Sequence, residues 1–147
     1  RYTLQTSQKD TIKLSEELEI VRSYLEIEKT RLGDRLTFHI ECDSVLAEEL
    51  FLPGLLIQPL VENSIRHGIA PKIGGGEVTV EAKRVENACV ISVIDNGIGF
   101  SNKNASSGYA LKSIQDRLKL LYDGKAELKI IHSDGTHVII TIPFSHG

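Results

Sequence analysis

The chain has 147 residues, 41% of them apolar and 25% charged, with 20 acidic against 17 basic side chains for a net charge of −3. Such a length and balance suit one soluble globular domain with a sizeable core. They hold neither the dense basic patch of a nucleic-acid binder nor an apolar run near the ~18 residues that cross a membrane. No signal peptide is visible, and a chain that starts at Arg1 without any methionine reads as a piece of a longer protein.

Residues 1–13 are polar, and a frayed or truncated helix end is expected there. An amphipathic helix follows over 14–32. Acids in its first turn, Glu16 and Glu17, suit the helix dipole. Its stripe of Leu14, Leu18, Val21, Leu25 and Leu32 has near-heptad spacing. That stripe serves either a dimer or interdomain contact or packing on its own domain. Residues 36–42 alternate as a strand. Residues 53–68 predict a helix, because Leu56, Leu60 and Ser64 recur every four residues beside Ile57, Val61 and Ile65. Gly68 is placed as its stop. A loop over 69–76 ends in Gly74-Gly75-Gly76. Two strands, 77–84 and 88–94, are joined by a turn at Glu86-Asn87. A polar, flexible loop at 100–107 leads to a helix over about 109–122. Strands near 126–132 and 137–143 then flank a turn at Asp134-Gly135. Cys42 and Cys89 lie in strand-like segments without metal-type spacing, as buried free thiols of a reducing cytosol. Strands paired through tight turns, with three helices, predict an α/β sandwich of two layers: one mixed sheet with helices on one face.

Two segments carry chemistry. Asp95-Asn96-Gly97-Ile98-Gly99-Phe100 sets a carboxylate at the end of an alternating apolar strand, before two closely spaced glycines. A carboxylate accepts a hydrogen bond from an exocyclic amine, and glycine admits close approach, so the run suits a purine pocket. Asn-Gly is also a hairpin-turn signal, and the hexapeptide alone fits both. The second segment is the polar side of the 53–68 helix, with Glu62, Asn63, Arg66 and His67. Asn63 and His67 stack at i, i+4. An amide oxygen suits Mg²⁺, which takes few protein ligands and keeps phosphates and waters. Glu62 beside it can orient or deprotonate a water or hydroxyl. Taken singly, that face is also what a solvated helix presents.

Together these segments resemble the N box and G1 box of the GHKL ATP-binding superfamily, and the spelling Gln58-Pro59-Leu60-Val61-Glu62-Asn63-Ser64-Ile65-Arg66-His67-Gly68 is similar to the LytS/YehU-type sensor histidine kinases. The flanks agree: residues 18–36, Asp116-Arg117-Leu118-Lys119-Leu120-Leu121-Tyr122 and Gly135-Thr136-His137-Val138 resemble further parts of those kinases, so the likeness runs from about residue 1 to 144. It implies a Bergerat-type fold that binds ATP and Mg²⁺. Asp95 would accept from the adenine amine, helped by Thr136, with Gly97 and Gly99 letting the backbone approach the base. Asn63 would hold Mg²⁺ against the phosphates, and Arg66 and His67 would lie by phosphate or ribose. Glu62 stands where the superfamily has its candidate general base. Residues 101–107 would form the lid over the nucleotide.

The resemblance also implies an organisation. Residues 1–32 would end an upstream dimerisation and phosphoacceptor region with its connecting helix, and 33–147 would be the ATP domain. The full-length protein would be a homodimeric, membrane-anchored bacterial sensor with this domain in the cytoplasm. It would phosphorylate a histidine of its own upstream domain and then serve a response regulator. No segment like Pro-His-Phe-Leu occurs, so the phosphoacceptor histidine would lie outside this chain. One motif departs from the family. Its second glycine box, Gly-x-Gly-Leu-x-Asn, is here Gly108-Tyr109-Ala110-Leu111-Lys112-Ser113. Amides at that helix start, with Gly108 and Leu111 kept, would still attract phosphate, while Ala110 and Ser113 predict weaker triphosphate handling. The alternative function is a degenerate nucleotide-binding or partner-docking module without kinase activity. A P-loop enzyme is excluded, because no Gly-x-x-x-x-Gly-Lys-Ser/Thr run exists.

Overall fold

The computed structural model describes residues 11–99 and 105–144, with backbone alone over 105–110. Its elements in chain order are β1 (Thr11–Lys13), α1 (Leu14–Leu32), β2 (Leu36–Cys42), α2 (Ser44–Glu49), β3 (Phe51–Pro53) and α3 (Gln58–Asn63). A π-helical turn (Ser64–Ile69) continues α3, followed by β4 (Gly76–Val85), β5 (Ala88–Asp95), α4 (Ala105–Leu121), β6 (Glu127–His132) and β7 (Thr136–Pro143). The five long strands form one sheet in the order β2-β4-β5-β7-β6. β2 and β4 run parallel, and the other neighbours are antiparallel. β1 and β3 make a separate antiparallel pair.

Strand alternation decides which face is covered. Val78, Val80 and Ala82 of β4, Cys89, Ile91 and Val93 of β5, and Val138, Ile140 and Ile142 of β7 are all buried. Since successive side chains point to opposite faces, these residues share one face. They join Leu14, Leu18, Val21 and Leu25 of α1, Leu60 and Val61 of α3, and Leu111, Ile114 and Leu118 of α4 in a single apolar cluster. The expected mixed sheet and two-layer sandwich are therefore present. β2 and α1 fall on the expected residues, and β4 and β5 end within a residue of them. Both cysteines are free; Cys89 is buried and Cys42 partly so.

Three expectations need correction. Residues 11–13 are a strand, not a helix end, because they pair with Phe51–Pro53. The helix expected over 53–68 begins only at Gln58. Pro53 closes β3, and Leu55 sits at φ 60, left-handed backbone that no right-handed helix contains. Pro59 falls in the first turn of α3, where its missing N–H is tolerated. Gly68 does not stop the helix either, since the π-helical turn runs on to Ile69 and closes with Ala70 N donating to Ile65 O at 2.8 Å. The loop expected over 100–107 is already helical from Ala105; residues 100–104 lie outside those described. The sequence reading had no helix at Ser44–Glu49, which Asp43 caps by accepting from Leu46 N at 3.1 Å.

Candidate functional site

β5 brings Asp95 to the edge of the core, where it faces Val78 on one side and Thr136 on the other. Only 4% of Asp95 is exposed. One oxygen, Oδ1, accepts from Gly97 N at 2.9 Å. The Ser64 hydroxyl and the Thr136 backbone N–H also donate to its carboxylate. Burial raises its pKa above the ordinary value, and these hydrogen bonds and the Lys72 charge pull the other way. A buried carboxyl held by fixed donors is a preorganised acceptor, and it borders an open pocket.

The turn 95–99 is not a hairpin. The β4–β5 hairpin turns at Glu86 and Asn87 instead, while residues 95–99 leave the sheet toward α4 and bond back to the π-helical turn. Ile98 N donates to Gly68 O at 3.0 Å. Asn96 Oδ1 accepts from Glu77 N at 2.7 Å. A Cβ on Gly97 would meet Gly68 carbonyl carbon at 2.3 Å, and one on Gly68 would meet Asp95 Oδ1 at 2.9 Å. The two glycines thus let the strand end and the helical turn touch, with the carboxylate of Asp95 between them. Gly99 has φ 89, which favours glycine, and a Cβ there would meet only the Gly135 carbonyl oxygen, at 3.7 Å.

Leu60, Leu111 and Val138 wall the pocket with apolar surface, and Asn63, Ser64, His67, Asp95 and Thr136 supply polar groups; Gly68 and Gly99 complete it. Of the residues chosen from sequence, Asn63, His67, Asp95, Gly99, Leu111 and Thr136 converge here. Gly97 stands just behind, bonded to Asp95. Arg66 is exposed and is not on the pocket wall; partial burial of the His67 ring, and then the nearby Arg66 charge, lower the pKa of His67. The His67 ring is accordingly neutral at pH 7. Glu62 is also off the wall, its Oε2 accepting from Gln58 Nε2 at 2.9 Å. Gly108 lies in the first turns of α4; its surroundings and the Ala110 side chain fall outside what is described, and Ser113 is exposed on that helix.

Sequence reading missed Ser64 and Gly68. Ser64 was read as one of a buried stripe, which it is, at 7% exposed. A hydroxyl recurring among leucines and isoleucines needs a buried partner, and that was the available signal. The room Gly68 leaves for Asp95 depends on a partner 27 positions away, and nothing local announces it.

The lining of this small cavity, about 20 Å³, combines apolar walls, a fixed buried acceptor, an amide and an imidazole, which is the chemistry of an adenine site. No cluster of three or more His, Cys, Asp or Glu side chains that could hold a metal exists among the described residues. An ion here would depend on phosphate oxygens with Asn63 as a protein ligand, which is how Mg²⁺ is usually held.

An α/β sandwich with an acid at a strand end beside a helical N box defines a nucleotide-binding domain of the GHKL type. Residues 50–146 match the family described as histidine kinase-, DNA gyrase B- and HSP90-like ATPase, and the chain belongs to that family. Residues 1–36 match a histidine kinase family. Among relatives, the chain is 35% identical to the sensor protein LytS of Staphylococcus saprophyticus over 98% of its own length. It is 33% identical to the sensor histidine kinase YesM of Bacillus subtilis over 92%. It spans about a quarter of these relatives, 26% and 24% of their lengths. The fold matches the histidine kinase domain of a blue-light activated kinase from Erythrobacter litoralis, with TM-score 0.67 and 21% identity over 90% of this chain and 62% of that one. It also matches the nucleotide-free catalytic domain of the histidine kinase ThkA, with TM-score 0.66 and 14% identity over 90% and 94%.

Proposed function

We propose that this chain is the ATP-binding catalytic unit of a two-component sensor histidine kinase, donating the γ-phosphoryl group of ATP to a histidine of an upstream domain. The observation that carries the reading is the buried Asp95 carboxylate, aimed into a pocket that Asn63 and His67 share. Asp95 accepts from the adenine amine, and Thr136 and Gly97 hold that carboxylate by their backbone N–H groups. Leu60, Leu111 and Val138 cover the base, and Gly99 leaves room for it. Asn63 ligates Mg²⁺, which when bound neutralises phosphate charge. His67 offers a neutral ring as a hydrogen-bond partner, Arg66 adds charge nearby, and the free N–H groups of the first turn of α4 would attract phosphate. Phosphoryl transfer needs positioning and charge neutralisation above all, and these groups supply both. Glu62 serves as general base if its carboxylate exchanges Gln58 for the ring N–H of the acceptor histidine, whose other ring nitrogen attacks the γ-phosphorus as ADP leaves.

The relatives' names, a sensor protein and a sensor histidine kinase, support a sensor role; we extend the proposal to a homodimeric, membrane-anchored protein whose upstream region ends within residues 1–32, with a response regulator downstream. Among the described residues no helix is long and apolar enough to cross a membrane. Ala110 and Ser113 in the second glycine box favour a second reading, nucleotide binding without transfer. Phosphorylation of a separately supplied upstream histidine domain separates the two.

Calorimetric titration tests the base assignment. Wild type should bind ATP and ADP in preference to GTP. Asp95→Asn, which turns an acceptor toward the amine into a donor, should lose about tenfold or more in affinity. Unchanged ATP binding in Asp95→Asn, or GTP binding as tight as ATP, would refute it.

A further inference from the structure

The site helix is held by side chains that touch no part of the pocket. α3 begins without a side-chain cap of its own. The backbone N–H groups of Ile57 and Gln58 donate instead to Glu17 Oε2 on α1, at 2.6 and 3.1 Å. Glu17 is fully buried, and the backbone N–H groups of Leu56 and Leu55 also favour its carboxylate. An acid in that position is unfavourable beside an apolar residue of the same size, so its presence needs a reason other than core stability. The same turn is gripped from its other side. Arg117 of α4 donates from Nη2 to Gly54 O at 2.9 Å and from Nη1 to Leu55 O at 3.1 Å. Between the two grips Leu55 holds φ 60, a strained backbone that persists only where its surroundings over-determine it.

We propose that Glu17 and Arg117 are positioning residues for nucleotide binding, clamping residues 54–58 from two helices and so fixing Asn63 and His67 against Asp95. This rests on the nucleotide reading above. Asn63 and His67 ride on α3 and its π-helical turn, directly downstream of the clamped turn, whereas Asp95 is held by β5 and its register with β4 and β7. Leu60 and Ser64 ride on the same segment, so loosening the clamp disturbs both ends of the pocket. Mg²⁺–ATP, which needs Asn63 and His67 as well, loses more than adenosine, which needs only Leu60 and Ser64 from that segment. Because α1 carries one grip and α4 the other, a displacement of either helix reaches the site through this turn.

The test compares two ligands on the full chain by calorimetry: ATP with Mg²⁺, and adenosine alone. Glu17→Met, which leaves the buried Ile57 N–H unpaired, should weaken Mg²⁺–ATP binding about tenfold, and Arg117→Met, which frees carbonyls that water can reach, severalfold, each with a clearly smaller loss for adenosine. Glu17→Gln should keep most of the affinity, because its amide oxygen can accept the same two N–H groups. Equal losses for both ligands would mean general loosening of the fold and overturn the proposal. So would Glu17→Gln as damaged as Glu17→Met, or wild-type affinity in both Met variants. If Glu17→Met does not fold, Arg117→Met decides alone by the same two titrations. A wild-type chain that bound neither ligand would instead remove the nucleotide reading, and this inference with it.

Discussion

In the proposed adenine pocket, Asp95 serves binding and stability in opposite directions. Burial holds its carboxyl above the ordinary value, so the nucleotide-free fold binds that proton more tightly than the unfolded chain does. Stability from this group is fully present below the ordinary carboxylate range and is lost as pH rises through the raised folded-state value. Adenine binding runs the other way, because an ionised acceptor makes the stronger hydrogen bond. Adenosine affinity should therefore fall on mild acidification, over the range in which nucleotide-free thermal stability gains from the same proton. Glu17 is shifted in the same direction as Asp95 and His67 is shifted down, so the informative quantity is the difference between wild type and Asp95→Asn. Melting and titration of both proteins across pH should show that difference in each property; parallel curves would remove Asp95 as the titrating group. Asn63 carries a separate expectation. Asn63→Ala should weaken Mg²⁺–ATP binding by about tenfold or more and metal-free ADP binding far less. Equal losses in the two titrations would leave Asn63 a role in the fold only.

Contact between two elements, β5 and the π-helical turn, makes the site, and glycine is what permits it. A methyl at residue 97 has the Gly68 backbone 2.3 Å away, and backbone cannot swing aside as a side-chain tip can. Gly97→Ala should push the turn from the strand end, destabilise the fold by about 1–3 kcal/mol, and lower affinity for every adenine ligand. Chemical denaturation and adenosine titration measure the two effects, and an alanine variant matching wild type in both would show that the elements can separate freely. This junction also marks where sequence stops being informative. The period-two runs of β2, β4 and β5 and the apolar stripe of α1 are local, and they were legible almost to the residue. Asp95, Asn63 and His67 were legible too, because each stands at a fixed offset from a strand end or a helix stripe. The clamp, the Gly68–Gly97 contact and the Ser64 hydroxyl are pairings across long separations, and no local pattern specifies a partner. The late start of α3 had a local cause, Pro53-Gly54 before a left-handed Leu55, which the continuous four-residue stripe concealed. α2 was missed although Asp43 before Ser44 is a sound cap signal, because a helix of one and a half turns leaves little periodicity to detect.

At the scale of the whole molecule, α1 belongs to the core as fully as the strands do. Leu14, Val21 and Leu25 have no exposed surface, and they join the cluster that contains Ile91 of β5 and Ile140 of β7. The boundary expected between residues 32 and 33 is therefore not a boundary in the packing. Two consequences follow from a shared core. Leu25→Ala should cost about 2–5 kcal/mol, the range for truncating a buried leucine, and the whole chain should still unfold in a single transition. A chain trimmed to 33–147 loses all four α1 core side chains at once, together with the carboxylate that holds residues 57 and 58. It should be far less stable than the full chain, and it should bind Mg²⁺–ATP poorly even where it remains folded. Calorimetric melting of both chains with and without nucleotide tests this. If the trimmed chain melts at the full-length temperature and binds Mg²⁺–ATP as tightly, α1 is a connector resting on a self-sufficient domain, and its four buried side chains contribute nothing to the site.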